Sequence, residues 1–522
     1  MKSARIIYHL ARADFLERVR RYSFLVMVGL VVFLGYQTAI GNMALELGKY
    51  RGEYNSAWVG AMMSLIAAFF LGWFGFYLVK GSVARDRETG VGQIMATTPL
   101  TRPLYLIGKL LSNFAVLMAM VVVLALAGLA IQFLQGESTQ IDLAAFLAPF
   151  LFIAMPLMML VAAIAVLFET IPFLQGGFGN MVYFFLFIIT LPIFMENDTL
   201  QKIPALEPTG LGLLSDQMST AVTKLYSDYD GTFTLGGGMT PAATTFVWEG
   251  VHWTADILFM RFAIILIAFA LTFLGALFFD RFDPSRSKPK RMNAKRSASD
   301  SAEPAPALPT SALAVSLTPL NRATNRFSFF NVLLAELKLV VKGQRWWWYL
   351  GAAGLIIASA TSPAETVRQI VLPIAWAWHI LLLSPIGNRE ARDNVQQMAF
   401  SSASPLWRQL PAQWLAGFIV TFVMGLGALL NFTINSDTVG LFALLSGALF
   451  IPSLALALGV WSGTSKPFEI VYLTLWYLGP MNNVPNLDFI GSKTNGYPQI
   501  FIPLSLALIA FAFFGRWRQL RN

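Results

Sequence analysis

The densest group of ionisable side chains in this sequence lies between two long apolar runs. Residues 85–109 read RDRETGVGQIMATTPLTRPLYLIGK and open with four consecutive charges. The apolar runs on either side, 58–79 and 104–133, are each long enough to cross a bilayer. Pro99 favours a helix boundary within the segment. A connection that only reversed the chain would need neither this length nor these charges, so the first loop segment (residues 85–109) has a further role.

A degenerate copy, the second loop segment (residues 392–408), reads RDNVQQMAFSSASPLWR. With one inserted residue it aligns with RETGVGQIMATTPLTR at 87–102, so that RD matches RE and PLWR matches PLTR. The glycine is lost, and the downstream Gly-Lys pair is replaced by Ala416-Gly417. Both copies lie between apolar spans, which indicates two fused halves. The alternative is chance similarity between two basic loops beside the membrane.

The composition is typical of a polytopic α-helical membrane protein. Of 522 residues, 56% are apolar and 12% charged, and the mean hydropathy is +0.61. Because there is no cysteine, disulfides, thiolate metal sites and cysteine nucleophiles are excluded. The three histidines, His9, His252 and His379, lie too far apart to form a metal-ligand motif. The net charge of +9 is carried by basic residues beside apolar runs, which favours a topology signal over nucleic-acid binding.

The hydropathy pattern predicts twelve spans, six in each half, in an all-α fold. They lie near residues 22–40, 57–80, 105–134, 143–168, 177–196, 257–279, 346–362, 367–387, 409–432, 440–462, 468–481 and 499–515. Lys and Arg concentrate at both termini and in residues 280–345, whereas the loop 196–256 holds two lysines and eight acidic residues. The positive-inside rule therefore places both termini and both loop segments in the cytoplasm, and the loop 197–256 outside. We expect no cleavable signal peptide, because the first apolar run is too long for a signal core.

Each predicted half opens with an amphipathic helix that would lie in the membrane interface. Its apolar face is Ile6, Leu10 and Ala13 in the first half, and Phe330, Leu333 or Leu334, Leu337 and Val340 in the second. Residues 283–325 are rich in Ser, Pro, Ala, Lys and Arg, and we expect a disordered linker. The domain prediction is therefore a first half at 1–282, a linker at 283–325 and a second half at 326–522.

Three further ionisable side chains stand at membrane depth or at its boundary. Glu169 and Glu469 occupy matching places between the fourth and fifth spans of each half, where a carboxylate needs solvent or a partner. Pairing with a loop arginine would tie the second and fourth spans together; the alternative is a glutamate in cytoplasmic water. His379 lies within a span and is either functional or a neutral imidazole bonded to a neighbouring helix. In the outer loop, Leu211, Leu214, Met218, Val222 and Leu225 predict an amphipathic helix that gates or caps the bundle.

The sequence contains no GxxxxGK[ST] phosphate-binding loop and no combination of residues that could form a hydrolytic active site. An ATP-driven activity would therefore require nucleotide-binding sites on other subunits. We predict that the chain is not an enzyme by itself and binds no cofactor or metal.

The first loop segment resembles the cytoplasmic contact loop of ABC-2 type transporter permeases. That family shows an Arg-Glu-x-Gly pattern, a helical turn, a small residue followed by Pro-Leu-Ser/Thr-Arg, and a Gly-Lys pair. The matching residues here are Arg87, Glu88, Gly90, Thr98, Pro99, Leu100, Thr101, Arg102, Gly108 and Lys109. The amphipathic helix that opens each half resembles the family's elbow helix.

The resemblance implies that separate ABC-type ATPase subunits, two per chain, dock on the two loop segments. The implied contact residues are Arg85, Arg87, Glu88, Gly90, Thr98, Pro99 and Arg102 in the first segment, and Arg392, Asp393, Pro405 and Arg408 in the second. Because one inserted residue turns a helix by about 100°, the second segment would present a different face. ATP and Mg would bind to the partner subunits.

The implied function is a permease in the plasma (inner) membrane of a prokaryote that exports its substrate. Its partners would be ATPase subunits, membrane lipid and further membrane or extracytoplasmic subunits, without nucleic acid. Two other functions remain open at this point. One is a non-transporting scaffold or sensor coupled to an ATPase, and the other is a secondary transporter that works without an ATPase.

Overall fold

A computed structural model shows the fold and divides the chain into two compact units. One comprises residues 1–282 together with 469–473, and the other comprises 283–468 together with 474–522. The structure describes residues 2–135, 137–138, 140–196, 206–236, 243–282, 328–342, 344, 346–402, 404–482, 484–492 and 497–521. The predicted linker at 283–325 lies outside the described residues.

The first unit is built from eleven described α-helices. They are α1 Lys2–Val19, α2 Tyr22–Ala39, α3 Ser56–Val79, α4 Ser82–Glu88, α5 Val91–Ala96, α6 Arg102–Gln135, α7 Leu143–Pro149, α8 Met155–Thr170, α9 Gly177–Glu196, α10 Leu211–Leu225 and α11 Ala255–Phe278. A π-helical turn at Phe150–Ala154 joins α7 to α8, next to Pro149, where the regular hydrogen-bond ladder cannot be completed.

Helix α3 lies at the centre of this unit because its sequence is apolar on every side. Asn55 begins the helix by accepting a hydrogen bond from the backbone N–H of Trp58. The helix is buried on nearly all faces, and α7 packs so closely that a Cβ at Gly60 would lie 2.4 Å from the Phe146 carbonyl oxygen. The core of the first unit therefore forms around α3, with α6, α7 and α8 against it.

The first unit also contains a small β-sheet, which the sequence analysis did not predict. Its strands are β1 Leu45–Leu47, β2 Tyr50–Gly52, β3 Phe233–Leu235 and β4 Thr244–Phe246, in the order β3-β1-β2-β4. Strand β1 pairs antiparallel with β2 and β3, and β2 pairs parallel with β4. The amphipathic helix predicted from Leu211 to Leu225 is confirmed as α10, whose Leu214, Met218 and Val222 are buried.

Twelve α-helices follow from residue 328 onward. They are α12 Phe329–Val341, α13 Trp346–Thr361, α14 Ala364–Thr366, α15 Leu372–Trp378, α16 Ile380–Leu383, α17 Arg389–Arg392, α18 Gln396–Phe400, α19 Pro405–Met424, α20 Leu426–Ile434, α21 Thr438–Ser462, α22 Lys466–Trp476 and α23 Phe501–Arg521. π-helical turns lie at Val367–Val371 and Tyr477–Met481, and 3-10 turns at Pro485–Leu487 and Pro498–Ile500.

Among the described residues, nine helical segments are long and apolar enough to cross a membrane, or ten if α19 and α20, bent by 53°, form one span. The all-α polytopic membrane fold is thus confirmed. Two of the predicted spans are helices shorter than these nine segments. Helix α13 has 16 residues, and α22 has 11 before a π-helical turn that contains Gly479 and Pro480. The number twelve therefore stays a prediction.

Candidate functional site

The first loop segment folds as two short helices, α4 and α5, followed by the start of α6. Gly90 separates α4 from α5 with φ of +76°, in the left-handed region that favours glycine. Arg102 is the first residue of α6, and Pro99 lies exposed before it. The predicted helix boundary near Pro99 is therefore confirmed.

Glu169, at the end of α8, holds the beginning of α4. Its Oε1 accepts hydrogen bonds from the backbone N–H groups of Gly81 and Ser82 at 2.8 and 3.0 Å, and its Oε2 accepts from those of Val83 and Ala84 at 2.6 and 3.0 Å. The Ser82 hydroxyl donates to Oε1 as well, at 3.1 Å. A buried carboxylate thus satisfies amides that a helix start leaves free and complements the positive end of its dipole. The partner is the backbone of α4, not the loop arginine that the sequence suggested.

Lys109 forms the second anchor, which we call the lysine node (Asp14, Asp86, Tyr105, Lys109). The Lys109 ammonium lies 2.8 Å from Asp14 on α1 and 2.8 Å from Asp86 on α4. The Tyr105 hydroxyl donates to Asp86 at 2.6 Å. Lys109 is 1% exposed, and a buried charge requires such partners.

Helix α1 contributes to the lysine node because it packs closely on α6. A Cβ at Gly108 would lie 2.4 Å from Leu10, so the Gly-Lys pair supplies both the close approach and the charge. Burial opposes ionisation of Asp14, but Arg18 and Lys109 outweigh it and lower the pKa of this carboxyl from its usual value. Of the apolar face predicted for α1, Leu10 packs inward against Gly108, and Ile6 is 46% exposed.

The residues that directly follow α11 also bind the first loop segment. Arg87 donates two hydrogen bonds to Asp280, at 2.9 and 2.7 Å, and Arg281 donates to the Thr98 carbonyl at 2.7 Å. A Cβ at Gly92 would lie 2.5 Å from the Phe282 ring. Helices α1, α6 and α8 and the end of α11 therefore all touch this segment.

The outward surface of the segment is left available. Glu88 is exposed and makes no hydrogen bond or ion pair within the described part of the chain. Val91 and Ile94 are 39% and 69% exposed. Arg85, by contrast, is paired with Glu17 of α1. Of the predicted contact residues, Arg85, Arg87 and Thr98 thus brace the loop, while Glu88 and Pro99 face outward.

A similar arrangement surrounds Glu390, which is buried two residues before the second loop segment. Gln409 and Gln413 of α19 donate to Glu390 at 2.6 and 2.7 Å, from 19 and 23 residues further along the chain. Tyr105 also lies 19 residues after the carboxylate that it binds, Asp86, and Lys109 follows four residues later. The positive charge comes from Arg516 of α23, 3.3 Å from Glu390.

This equivalence corrects the alignment of the two segments. Glu390 takes the place of Asp86, so Arg392 falls on Glu88, and Asn394 falls on Gly90 and adopts the same left-handed backbone, with φ of +55°. Ala412-Gln413, not Ala416-Gly417, replaces the Gly-Lys pair. In this register no residue is inserted, so the predicted rotation of the second segment is wrong. Val395 and Met398, at the places of Val91 and Ile94, are 37% and 73% exposed.

The remaining predicted residues of the second unit have local roles. Arg392 pairs with its neighbour Asp393 at 3.3 Å, and Pro405 and Arg408 lie in the first turn of α19. Arg389 binds Glu336 of α12 at 3.0 Å, which ties the second amphipathic helix to the segment as Asp14 ties the first. Burial raises the pKa of the Glu336 carboxyl against the opposing effect of Arg389.

Glu469 accepts a hydrogen bond from the Asn180 side chain, which also binds Lys80, the residue before Gly81. Glu469 is buried near the start of α22. His379 is buried between α15 and α16, and its ring nitrogens lie 3.4 Å from the Ala375 carbonyl oxygen and 3.2 Å from the Thr421 hydroxyl on α19. This is the interhelical hydrogen bond that the second interpretation of His379 expected. The described residues contain no cluster of three or more metal-ligating side chains.

The sequence analysis did not identify the acidic partners that hold the first loop segment, apart from Glu169. Asp14 and Glu17 were visible as the acidic residues in a basic N-terminal segment, and Asp280 as the acid that directly follows a span. Asp86 was visible inside the charged quartet. Nothing in the sequence pattern showed which of these side chains would be buried, because their partners lie up to 193 residues away.

A search of curated proteins finds no match to the chain. Residues 8–281 match the protein family described as ABC-2 family transporter protein. Because that match covers more than half of the 522 residues, the protein belongs to the ABC-2 transporter family and is a membrane permease.

Proposed function

We propose that this chain is the membrane-spanning subunit of an ABC exporter, powered by separate ATPase subunits that dock on its two loop segments. The observation that carries the proposal is a pair of exposed apolar residues at equivalent places, Val91 with Ile94 and Val395 with Met398. Exposed apolar side chains on a braced loop are suited to a protein partner.

The contacts that hold the first loop segment suggest how docking of an ATPase subunit would act on the membrane-spanning helices. Glu169 connects α4 to α8, and the lysine node connects α4 to α6 and α1. Asp280 connects the same loop segment to the residues that follow α11. A displacement of α4 on docking would therefore displace these helices. The contacts of Glu169 and Lys109 are short and buried, whereas the Arg87–Asp280 pair is short but exposed. We expect α8, α6 and α1 in particular to move with the loop. Alternating access driven by ATP on the partner subunits is the mechanism that this arrangement supports.

The repeated spacing around Asp86 and Glu390 supports two fused halves, each with one ATPase contact. The contacts are chemically unequal: Lys109 is matched by Gln413, Gly90 by Asn394, and Glu88 by Arg392. In this proposal both termini and both loop segments are cytoplasmic, and the membrane is the plasma (inner) membrane of a prokaryote. ATP and Mg bind to the partners.

Co-purification with a candidate ATPase subunit tests the proposal. We expect the complex to hydrolyse ATP and the chain alone to show no activity. Ile94→Glu should abolish stimulation, because it buries a charge at the docking surface. The matched control is Val247→Glu, at another exposed aliphatic residue, which lies outside both loop segments. Hydrolysis by the isolated chain would refute the division of labour.

Transport assays in vesicles separate the other two functions. Substrate movement without any ATPase subunit would identify a secondary transporter. ATPase stimulation that is never accompanied by movement of a substrate would identify a scaffold or sensor.

A further inference from the structure

An apolar groove runs between α1 and α6 on the first unit. It holds about 550 Å³ and is lined on α6 by Ile107, Leu111 and Ala115, which share one helix face at spacings of four. On α1 it is lined by a stripe that includes Tyr8, Ala11, Arg12 and Phe15. The volume falls within the range of about 300–1,000 Å³ that is usual for ligand pockets.

We propose that this groove binds one anionic phospholipid, with an acyl chain along α6 and the phosphate at Arg12. The inference uses the proposed interfacial position of α1 but does not depend on ATP hydrolysis. The three α6 residues span about 12 Å of the helix axis, which places an acyl chain alongside the span. The small side chains of Ala11 and Ala115 provide the width.

Charge complementarity selects the headgroup. Both acidic residues of α1 are already paired, Asp14 with Lys109 and Glu17 with Arg21. Arg12 lines the groove, is exposed, and has no hydrogen-bond or ion-pair partner among the described residues. Arg5 lies seven residues earlier, on nearly the same helix face, and is exposed as well. Two exposed guanidinium groups beside an apolar groove favour a phospholipid headgroup of net negative charge over a zwitterionic one, in which the choline cation offsets the phosphate.

The site is coupled to the loop anchors through α1 itself. Arg12 and Phe15 face the groove, whereas Asp14, between them in sequence, reaches Lys109. A lipid that fixes α1 against α6 would therefore also fix one side of the lysine node. We expect lipid binding to raise the thermal stability of the chain.

Titration of the detergent-purified chain with phosphatidylglycerol tests the proposal, and phosphatidylcholine of the same acyl composition serves as the reference. We expect a saturable rise in Tm with the anionic lipid alone. Arg12→Gln should weaken binding about fivefold, since one basic residue near a lipid surface contributes about that factor. Arg20→Gln, which removes an exposed arginine outside the groove, is the matched control.

A second pair of variants tests the acyl-chain part. Ala11→Trp fills the groove and should abolish the lipid-dependent rise in Tm, whereas Ala13→Trp, at an exposed residue of α1 outside the lining, should preserve it. Equal responses to the two lipids, or equal binding by Arg12→Gln and Arg20→Gln, would overturn the proposal. Because no ATPase subunit takes part, this failure is distinct from a failure of the transport function.

Discussion

Replacement of Glu169 by glutamine should loosen the first loop segment without unfolding the protein. The carboxylate accepts four backbone hydrogen bonds and one from the Ser82 hydroxyl. A glutamine keeps one acceptor oxygen and turns an NH2 group toward the donors on the other side. Two backbone N–H groups, those of Val83 and Ala84 or those of Gly81 and Ser82, therefore lose their acceptor.

The magnitude follows from the cost of such losses. A buried donor left without an acceptor costs about 1–3 kcal/mol, but the amides of Gly81 and Ala84 are only part-buried and can turn to water. We therefore expect the start of α4 to lose about 3 kcal/mol of local stability. Since about 1.4 kcal/mol corresponds to a factor of ten, opening of α4 should become about a hundredfold more frequent.

Hydrogen–deuterium exchange measures this opening directly. In Glu169→Gln, peptides that cover residues 81–88 should exchange about a hundredfold faster, and ATPase stimulation should fall while the complex still assembles. The matched control is Glu137→Gln, which removes a carboxylate bound to Arg51 at 2.6 Å elsewhere in the first unit. Unchanged protection of residues 81–88, or an equal increase in both variants, would refute the reasoning.

Lys109→Met should destabilise the chain by about 3–5 kcal/mol, because it leaves buried carboxylates without their cation; a fall in Tm is the measure, and an unchanged Tm would contradict it. Asn394→Gly should be tolerated and Asn394→Val should cost about 1–2 kcal/mol, because φ is positive there; equal Tm values would contradict this. Glu88→Lys should reduce stimulated ATPase activity more than Asp393→Lys, since Asp393 pairs with its own neighbour; equal, small effects would contradict it. A cysteine in place of Thr220, in an otherwise cysteine-free chain, should be labelled only from outside.

The sequence predicted those parts of the fold that depend on local patterns. Continuous apolar runs predicted the membrane helices, and helical spacing predicted α1, α10 and α12. The four-stranded sheet was missed because each strand has only three residues, and because two of its three pairings join segments far apart in the chain. Strands so short carry no alternating pattern that could reveal them.

The register of the second loop segment shows why the site was harder to predict than the fold. The sequence alignment paired residues of similar type, RD with RE and PLWR with PLTR. In the structure, the equivalent buried carboxylates are Asp86 and Glu390. Asp86 is bound by a phenol and an ammonium group, whereas Glu390 is bound by two side-chain amides. An amide cannot neutralise a buried carboxylate, so the second unit takes its positive charge from Arg516 at the end of the last helix. The spacing around the buried carboxylate is the same in both units, but its cation lies on α6 in the first unit and on α23 in the second. An alignment of the two loop segments cannot reveal this difference, because α23 is not part of either segment.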